Sequence, residues 1–166
     1  MELDDEVVTL RAWSVEDAAW YAESSRDPEV QRFTTDPPTL TAADVAAAIT
    51  ALAARPEQVA HLIVDAATGE RLGNIALTCT EGVGDVSYWV AAAARGRGVG
   101  THALTLLAGA AFAQLGLQEL RLWTHAANTA SRRVAERAGF VRDPERDGSR
   151  EVKGGTWPTV AYRHLP

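Results

Sequence analysis

The alternation of apolar and polar residues from Val7 to Arg11 predicts a short strand, and Ser14 with Asp17 three positions on marks the start of a helix reaching about Glu23. Asp27-Pro28 and Asp36-Pro37-Pro38 interrupt the chain, and Thr41 or Ala42 opens a second helix through Val45, Ile49 and Leu52, which Pro56 stops. From His61 the texture changes. Leu62-Ile63-Val64, Leu72 to Thr80 and Asp85 to Val90 are separated by Gly-bearing turns and read as three antiparallel strands. Leu104, Leu107, Ala111 and Leu115 then recur at helical spacing from Gly98 to Leu115, with Gly116 as the stop. The other faces of this helix are also Ala, Leu and Gly, so it should be covered on more than one side.

Leu120 to Thr124 reads as a strand, and the helix before it makes a βαβ unit with parallel neighbours. Asn128 is an N-cap for a further helix carrying Val134, Ala135 and Ala138, with Gly139 and Phe140 in the pattern of a left-handed stop and its apolar contact. Strands near Phe140 to Arg142 and Thr159 to Leu165 close the sheet. The polar, Gly-rich segment from Pro144 to Pro158 reads as a long hairpin loop.

Length and composition narrow the function. The 166 residues, 46% hydrophobic and 23% charged, suit one globular domain spanning 1–166. A net charge of -6 argues against broad nucleic-acid binding, which needs an excess of Lys and Arg. No stretch has the length and flanks of a membrane helix, and the acidic start does not resemble a signal peptide. With the lone Cys79 this predicts a cytoplasmic protein. His61, His102, His125 and His164 lack paired ligand spacing, so no metal is expected.

The strongest chemical signal is Arg95-Gly96-Arg97-Gly98-Val99-Gly100-Thr101, between a strand and an apolar helix. Its glycines allow close backbone approach, the amides at the helix start suit an anion, and Arg95 and Arg97 can add charge at the rim. A glycine-rich turn with solvated arginines is the plainer reading. The spacing fits neither a dinucleotide fingerprint, since Thr101 stands where the third Gly would be, nor a P-loop, since no Lys precedes Thr101.

Arg95-x-x-Gly98-x-Gly100 resembles the acyl-CoA pyrophosphate motif of the GNAT superfamily. Asp27-Pro28-Glu29-Val30, Tyr88-Trp89-Val90, and Asn128-Thr129-Ala130-Ser131 ending in Ala138-Gly139-Phe140 resemble the branch containing the ribosomal-protein N-terminal acetyltransferases. The resemblance implies an α/β fold with a mixed, mostly antiparallel sheet of about seven strands, splayed after the strand ending at Val90 and flanked by about four helices. It also implies acetyl-CoA in the gap, paired with backbone groups of Trp89, Val90 and Ala92, with Asn128 reaching the pantetheine arm or acting only as a cap. Arg132 and Arg133 would lie near the nucleotide end or remain exposed helix charges.

Acetyl transfer to a primary amine, whether a protein or peptide N-terminus or a small molecule, needs a deprotonated amine and a protonated leaving thiolate. By resemblance Asp85 matches the strand position where several members place a catalytic Glu, and alternation puts it on one face with Ser87 and Trp89; it also reads as a solvated turn aspartate. Glu151, His61 or a water chain are the other bases. The tyrosine that many members carry in the last helix is replaced by Ala135, while Ser131 matches a serine of the ribosomal-protein branch and could protonate the departing sulfur. Its plainer role is that of a first-turn polar residue. Cys79, in an apolar strand, does not suit a covalent route, so direct attack in a ternary complex is expected. The acceptor wall is expected from the N-terminal helices and the 144–158 loop, with Trp13, Trp20, Tyr21, Phe33 and Trp157 available. The resemblance makes a homodimer possible. A non-catalytic acyl-CoA-binding or sensing domain, suggested by the missing tyrosine, and a nucleotide-binding fold are the competing readings.

Overall fold

In the computed structural model, which describes residues 2–166, the chain runs β1 (Leu3–Asp4), β2 (Val8–Ala12), α1 (Ala18–Ser24), α2 (Pro28–Phe33), α3 (Ala42–Ala51), β3 (Gln58–Asp65), β4 (Arg71–Thr80) and β5 (Val83–Val90). It continues through α4 (Val99–Ala113), β6 (Glu119–His125), α5 (Thr129–Arg137), β7 (Val141–Arg142), β8 (Gly148–Val152) and β9 (Gly155–His164). These strands form one sheet in the order β1-β2-β3-β4-β5-β6-β9-β7, with β8 on β9. Every pairing is antiparallel except β5 with β6.

Local chemistry sets the element ends. Ser14 and Asp17 form a reciprocal capping box on the short helical turn that leads into α1, and Thr41 with Asp44 does the same for α3. At the end of α5, Gly139 has φ +90° while its amide bonds to Glu136 O and that of Phe140 to Ala135 O, the two bonds of a Schellman stop. Helix α4 is covered as its composition requires. Leu104 and Leu107 are fully buried against Ile75, Leu77, Leu120 and Tyr162 in the main core, each side chain worth about 2 kcal/mol of apolar burial. Ala18, Ala22 and Val45 make a smaller cluster between α1 and α3, which joins the sheet where Trp20 stacks on Trp89 at 5.8 Å.

Several expectations need correction in detail. The described residues hold nine strands and five α-helices where about seven and four were expected. Pro28–Phe33, read as a break, is helical because Asp27 accepts from the amides of Glu29 and Val30 and Pro28 occupies the first turn, where its missing N–H costs nothing. The 144–158 segment is not a loop: β8 and β9 pair from Gly148↔Thr159 to Val152↔Gly155 around a two-residue turn, Lys153-Gly154, with both φ positive. The sheet also opens earlier than expected, within β5.

Candidate active site

Strands β5 and β6 pair only at Val83↔Glu119, Gly84↔Leu120 and Asp85↔Arg121. Beyond that point β5 stays on β4 through Val90 and β6 stays on β9 through His125. The facing edges from Val86 and from Leu122 onward therefore have no strand partner, and their N–H and C=O groups are left for something else to satisfy. The opening lies toward the carboxyl ends of two parallel strands, the place where open α/β sheets take ligands.

The N-termini of α4 and α5 converge on this opening. Gly98 caps α4 at φ +74°, a conformation open to glycine, and provides no side-chain cap, so the first-turn amides of α4 stay unsatisfied at the positive end of the helix. The flanking arginines are engaged elsewhere. Arg95 pairs with Asp27, whose carboxyl it holds below the usual range, and its Nε lies 4.0 Å from Glu29. Arg97 bonds Asp65 at 3.0 Å and lies 3.7 Å from Glu70. They fasten the loop to α2 and to the β3–β4 turn.

Two adjoining cavities occupy the opening. The larger, about 410 Å³, runs along Trp89, Val90, Arg95, Gly96 and Gly98 to Thr101 on one side and along Asn128, Ser131, Arg133, Val134 and Arg137 of α5 on the other. The smaller, about 160 Å³, extends past Ser87 and Tyr88 to Trp123, Asn74, Tyr21 and Asp36. Phe33, Thr34, Tyr88, Trp89, Asn128 and Ser131 line both. At this junction Thr34 Oγ1 is buried with no hydrogen-bond partner among the described residues.

Most of the residues singled out in the sequence are thus brought together, and three are not. Ala92 lies in the short turn after β5, where Ala94 takes the wall position instead. Arg97 faces the Asp65 carboxylate outside the cavities. Asp85 is exposed and belongs to the last β5–β6 pair, so it sits in the closed part of the sheet, two residues short of Ser87, and lines neither cavity. Among the suggested wall residues, Tyr21 and Phe33 line the smaller cavity, Trp13 packs against Tyr21 and Trp20, Trp20 stacks on Trp89, and Trp157 meets His125 edge-on at 5.4 Å.

Two groups escaped the sequence reading. Tyr88 Oη lies 3.0 Å from Ser131 Oγ and donates to Ser131 O at 3.0 Å in one arrangement of its proton. Burial pushes its phenol up to about 12, partly offset by the Ser131 hydrogen bond. Asp36 accepts a 2.7 Å hydrogen bond from Tyr21 Oη, and burial, with the Asp36 charge, drives the Tyr21 phenol well above its ordinary range. Strand alternation could have found Tyr88, since it puts that residue on the side of Val86 and Val90. Asp36 was hidden in a Pro-Pro breaker.

Asn128 Oδ1 accepts from the Ser131 amide at 3.1 Å, so its cap role is in place. Among the described residues no group of His, Cys, Asp or Glu could hold a metal ion, and no helix is long and apolar enough to cross a membrane.

Residues 8–141 match the model of the acetyltransferase (GNAT) domain. The fold is shared with a ribosomal-protein-S5-alanine acetyltransferase from Vibrio fischeri, at TM-score 0.86 and 15% identity over 99% of this chain and 96% of that one. Mycobacterium smegmatis RimJ, solved with CoA-disulfide, gives 0.84 and 19% over 99% and 86%. A spermidine N-acetyltransferase from Vibrio cholerae, solved with CoA and spermine, gives 0.85 and 15% over 97% and 96%. Comparison with curated protein sequences gives no match.

Proposed function

The chain belongs to the GNAT acetyltransferase family, and from that premise we propose that the larger cavity holds acetyl-CoA while the smaller receives a primary amine. The enzyme is an acetyl-CoA-dependent N-acetyltransferase. The observation that carries the assignment of the two cavities is the gap between β5 and β6, where unpaired strand edges, the uncapped start of α4 and the Ser131 hydroxyl meet.

The residues present fit the cofactor. The amides from Gly98 to Thr101 would hold the diphosphate, the free edge of β5 at Trp89 and Val90 the pantetheine amides, and Arg133 and Arg137 the nucleotide end. Arg95 shapes the loop through Asp27 and lines the cavity from that fixed position. Acetyl-CoA supplies the acyl group already activated as a thioester.

The Ser131–Tyr88 pair is the proton-holding device of this site. When Tyr88 donates to Ser131 Oγ, the serine proton is free to point into the junction; when it donates to Ser131 O, the serine proton turns back to Tyr88 Oη. Because burial keeps the phenol protonated through neutral and mildly alkaline pH, the pair retains a proton for a departing sulfur. A hydroxyl from β5 thus stands beside Ser131 where Ala135 provides none, which supports the catalytic reading over a non-catalytic acyl-CoA-binding one.

Acceptors of the reaction are protein or peptide N-termini or small primary amines, attacking directly within a ternary complex. The same reading assigns residues 1–166 to a single cytoplasmic domain, with a homodimer as the assembly to look for by light scattering. Release of free thiol from acetyl-CoA in the presence of an amine and peptide panel tests the assignment. Turnover with at least one primary amine is expected; binding of CoA without turnover of any acceptor would overturn it.

A further inference from the structure

Among the described residues, Asp36 is the one charged residue lining the smaller cavity; its other walls are aromatic, hydroxyl, amide and aliphatic groups such as Phe33, Trp123, Ser87 and Asn74. One carboxylate oxygen, Oδ2, is held by Tyr21 Oη at 2.7 Å, and Trp89 Nε1 lies 3.5 Å behind that hydroxyl. No hydrogen bond is made to Oδ1 among the described residues. The carboxylate is therefore fixed in direction by a partly buried phenol while half of its acceptor capacity stays unused. Tyr21 cannot neutralise it, since the Asp36 charge itself helps keep the phenol protonated. The nearby Lys153 donates to Gln31 O and Oε1, at 2.7 and 2.9 Å, and its charge is attracted to Asp36 without a hydrogen bond to it.

The surroundings set a second condition. Arg32 lies over the Phe33 ring at 4.6 Å, Arg150 lies over the Trp123 ring at 4.3 Å, and Lys153 stands at the hairpin turn. Both rings line the cavity, so cations stand behind its aromatic walls while its single anion lies inside.

We propose that Asp36, oriented by Tyr21, is the subsite for the ammonium of the acceptor, and that the enzyme takes amines carrying one positive charge in preference to polyamines. An ammonium gains a charge-assisted bond to Oδ1 and the faces of neighbouring aromatic rings, and it passes one proton to that carboxylate, and from there to solvent, before the neutral nitrogen attacks the thioester. A second ammonium finds no further carboxylate among the described residues that line this cavity, while cations lie against two of its rings and beside Asp36. The proposal rests on the assignment of the smaller cavity to the acceptor.

The test measures amine binding to CoA-saturated protein by calorimetry, separately from turnover. A primary alkylamine should bind the unmodified enzyme, and Asp36→Asn should weaken it at least tenfold while the affinity for CoA stays within about twofold. Tyr21→Phe should weaken amine binding less than Asp36→Asn, because the carboxylate remains. The matching diamine should bind no more tightly than the monoamine. Equal amine affinity in Asp36→Asn, or tighter binding of the diamine, would overturn the proposal, as would an unmodified enzyme that binds no amine. Amine binding that depends on Asp36 but leads to no acetyl transfer would instead sink the enzymatic reading and leave the subsite standing.

Discussion

Tyr88 Oη stands 3.0 Å from both the hydroxyl and the carbonyl oxygen of Ser131, tying β5 to the first turn of α5 across the open part of the sheet. A tyrosine from a strand and a serine from a helix thus share one proton position at the junction of the two cavities.

Ser131→Ala should lower kcat about a hundredfold while KM for acetyl-CoA changes by less than about threefold, because the lost group acts on the departing sulfur. Tyr88→Phe should also lower kcat, and the double variant should be little worse than Ser131→Ala alone, as expected of groups that act as a unit. Steady-state kinetics of the three variants decides this; additive losses would mean that the two hydroxyls work independently.

Arg95→Gln and Asp27→Asn should raise KM for acetyl-CoA to a similar extent, about two- to fivefold, because each breaks the same partly exposed pair, worth at most about 1 kcal/mol. A guanidinium that acted mainly on phosphate would respond differently: freeing it by Asp27→Asn would leave KM unchanged or lower it. Comparing the two KM values separates an anchored loop from a direct phosphate ligand.

Gly73→Ala should cost about 2 kcal/mol and lower Tm by about 4–8 °C. A Cβ there would lie 2.4 Å from the carbonyl oxygen of Trp89, a backbone atom that cannot move without shifting β5. Gly84→Ala meets the ends of Leu77, Leu117 and Leu120, which can rotate, and should cost less. Thermal unfolding of both variants tests the order, and Gly73→Ala should in addition weaken CoA binding.

Asp17 is 1% exposed and held by Arg11 and Arg71, each at 2.8 Å. The hydrogen bond from Arg11, with those from the Ser14 amide and Arg71, keeps its carboxyl far below the ordinary range despite burial. A carboxyl depressed in the folded state contributes stability that is fully present above its unfolded value of about 3.9 and is lost as pH falls below it. Asp17→Asn should lower stability at pH 7 by about 2 kcal/mol and flatten the acid limb below about pH 4. Urea midpoints measured from pH 7 to pH 2 check both the size and the direction.

Much of this arrangement is legible in the chain because it is written in local chemistry. Ser14, Thr41 and Asn128 cap where side-chain oxygens can reach first-turn amides, and the Ala- and Leu-rich α4 announces its burial. Gly98 requires its own conformation. What escapes is set by long-range pairing. That Asp85 lines neither cavity follows from where β5 leaves β6, which no property of residues 83–90 alone decides. That Arg95 and Arg97 are already occupied follows from carboxylates 68 and 32 positions earlier in the chain. Asp36 becomes meaningful only beside Tyr21, and Tyr88 only beside Ser131.

Among the described residues, the three pairs of Val83 to Asp85 with Glu119 to Arg121 are the only strand pairing that joins β1–β5 to the β6–β9 side. Past that short ladder the two sheet halves are joined by the shared core beneath α4, and a molecule laid between their free edges acts as mortar. Hydrogen exchange at Val86–Val90 and Leu122–His125 should therefore slow when CoA is bound, because the free edges then gain partners.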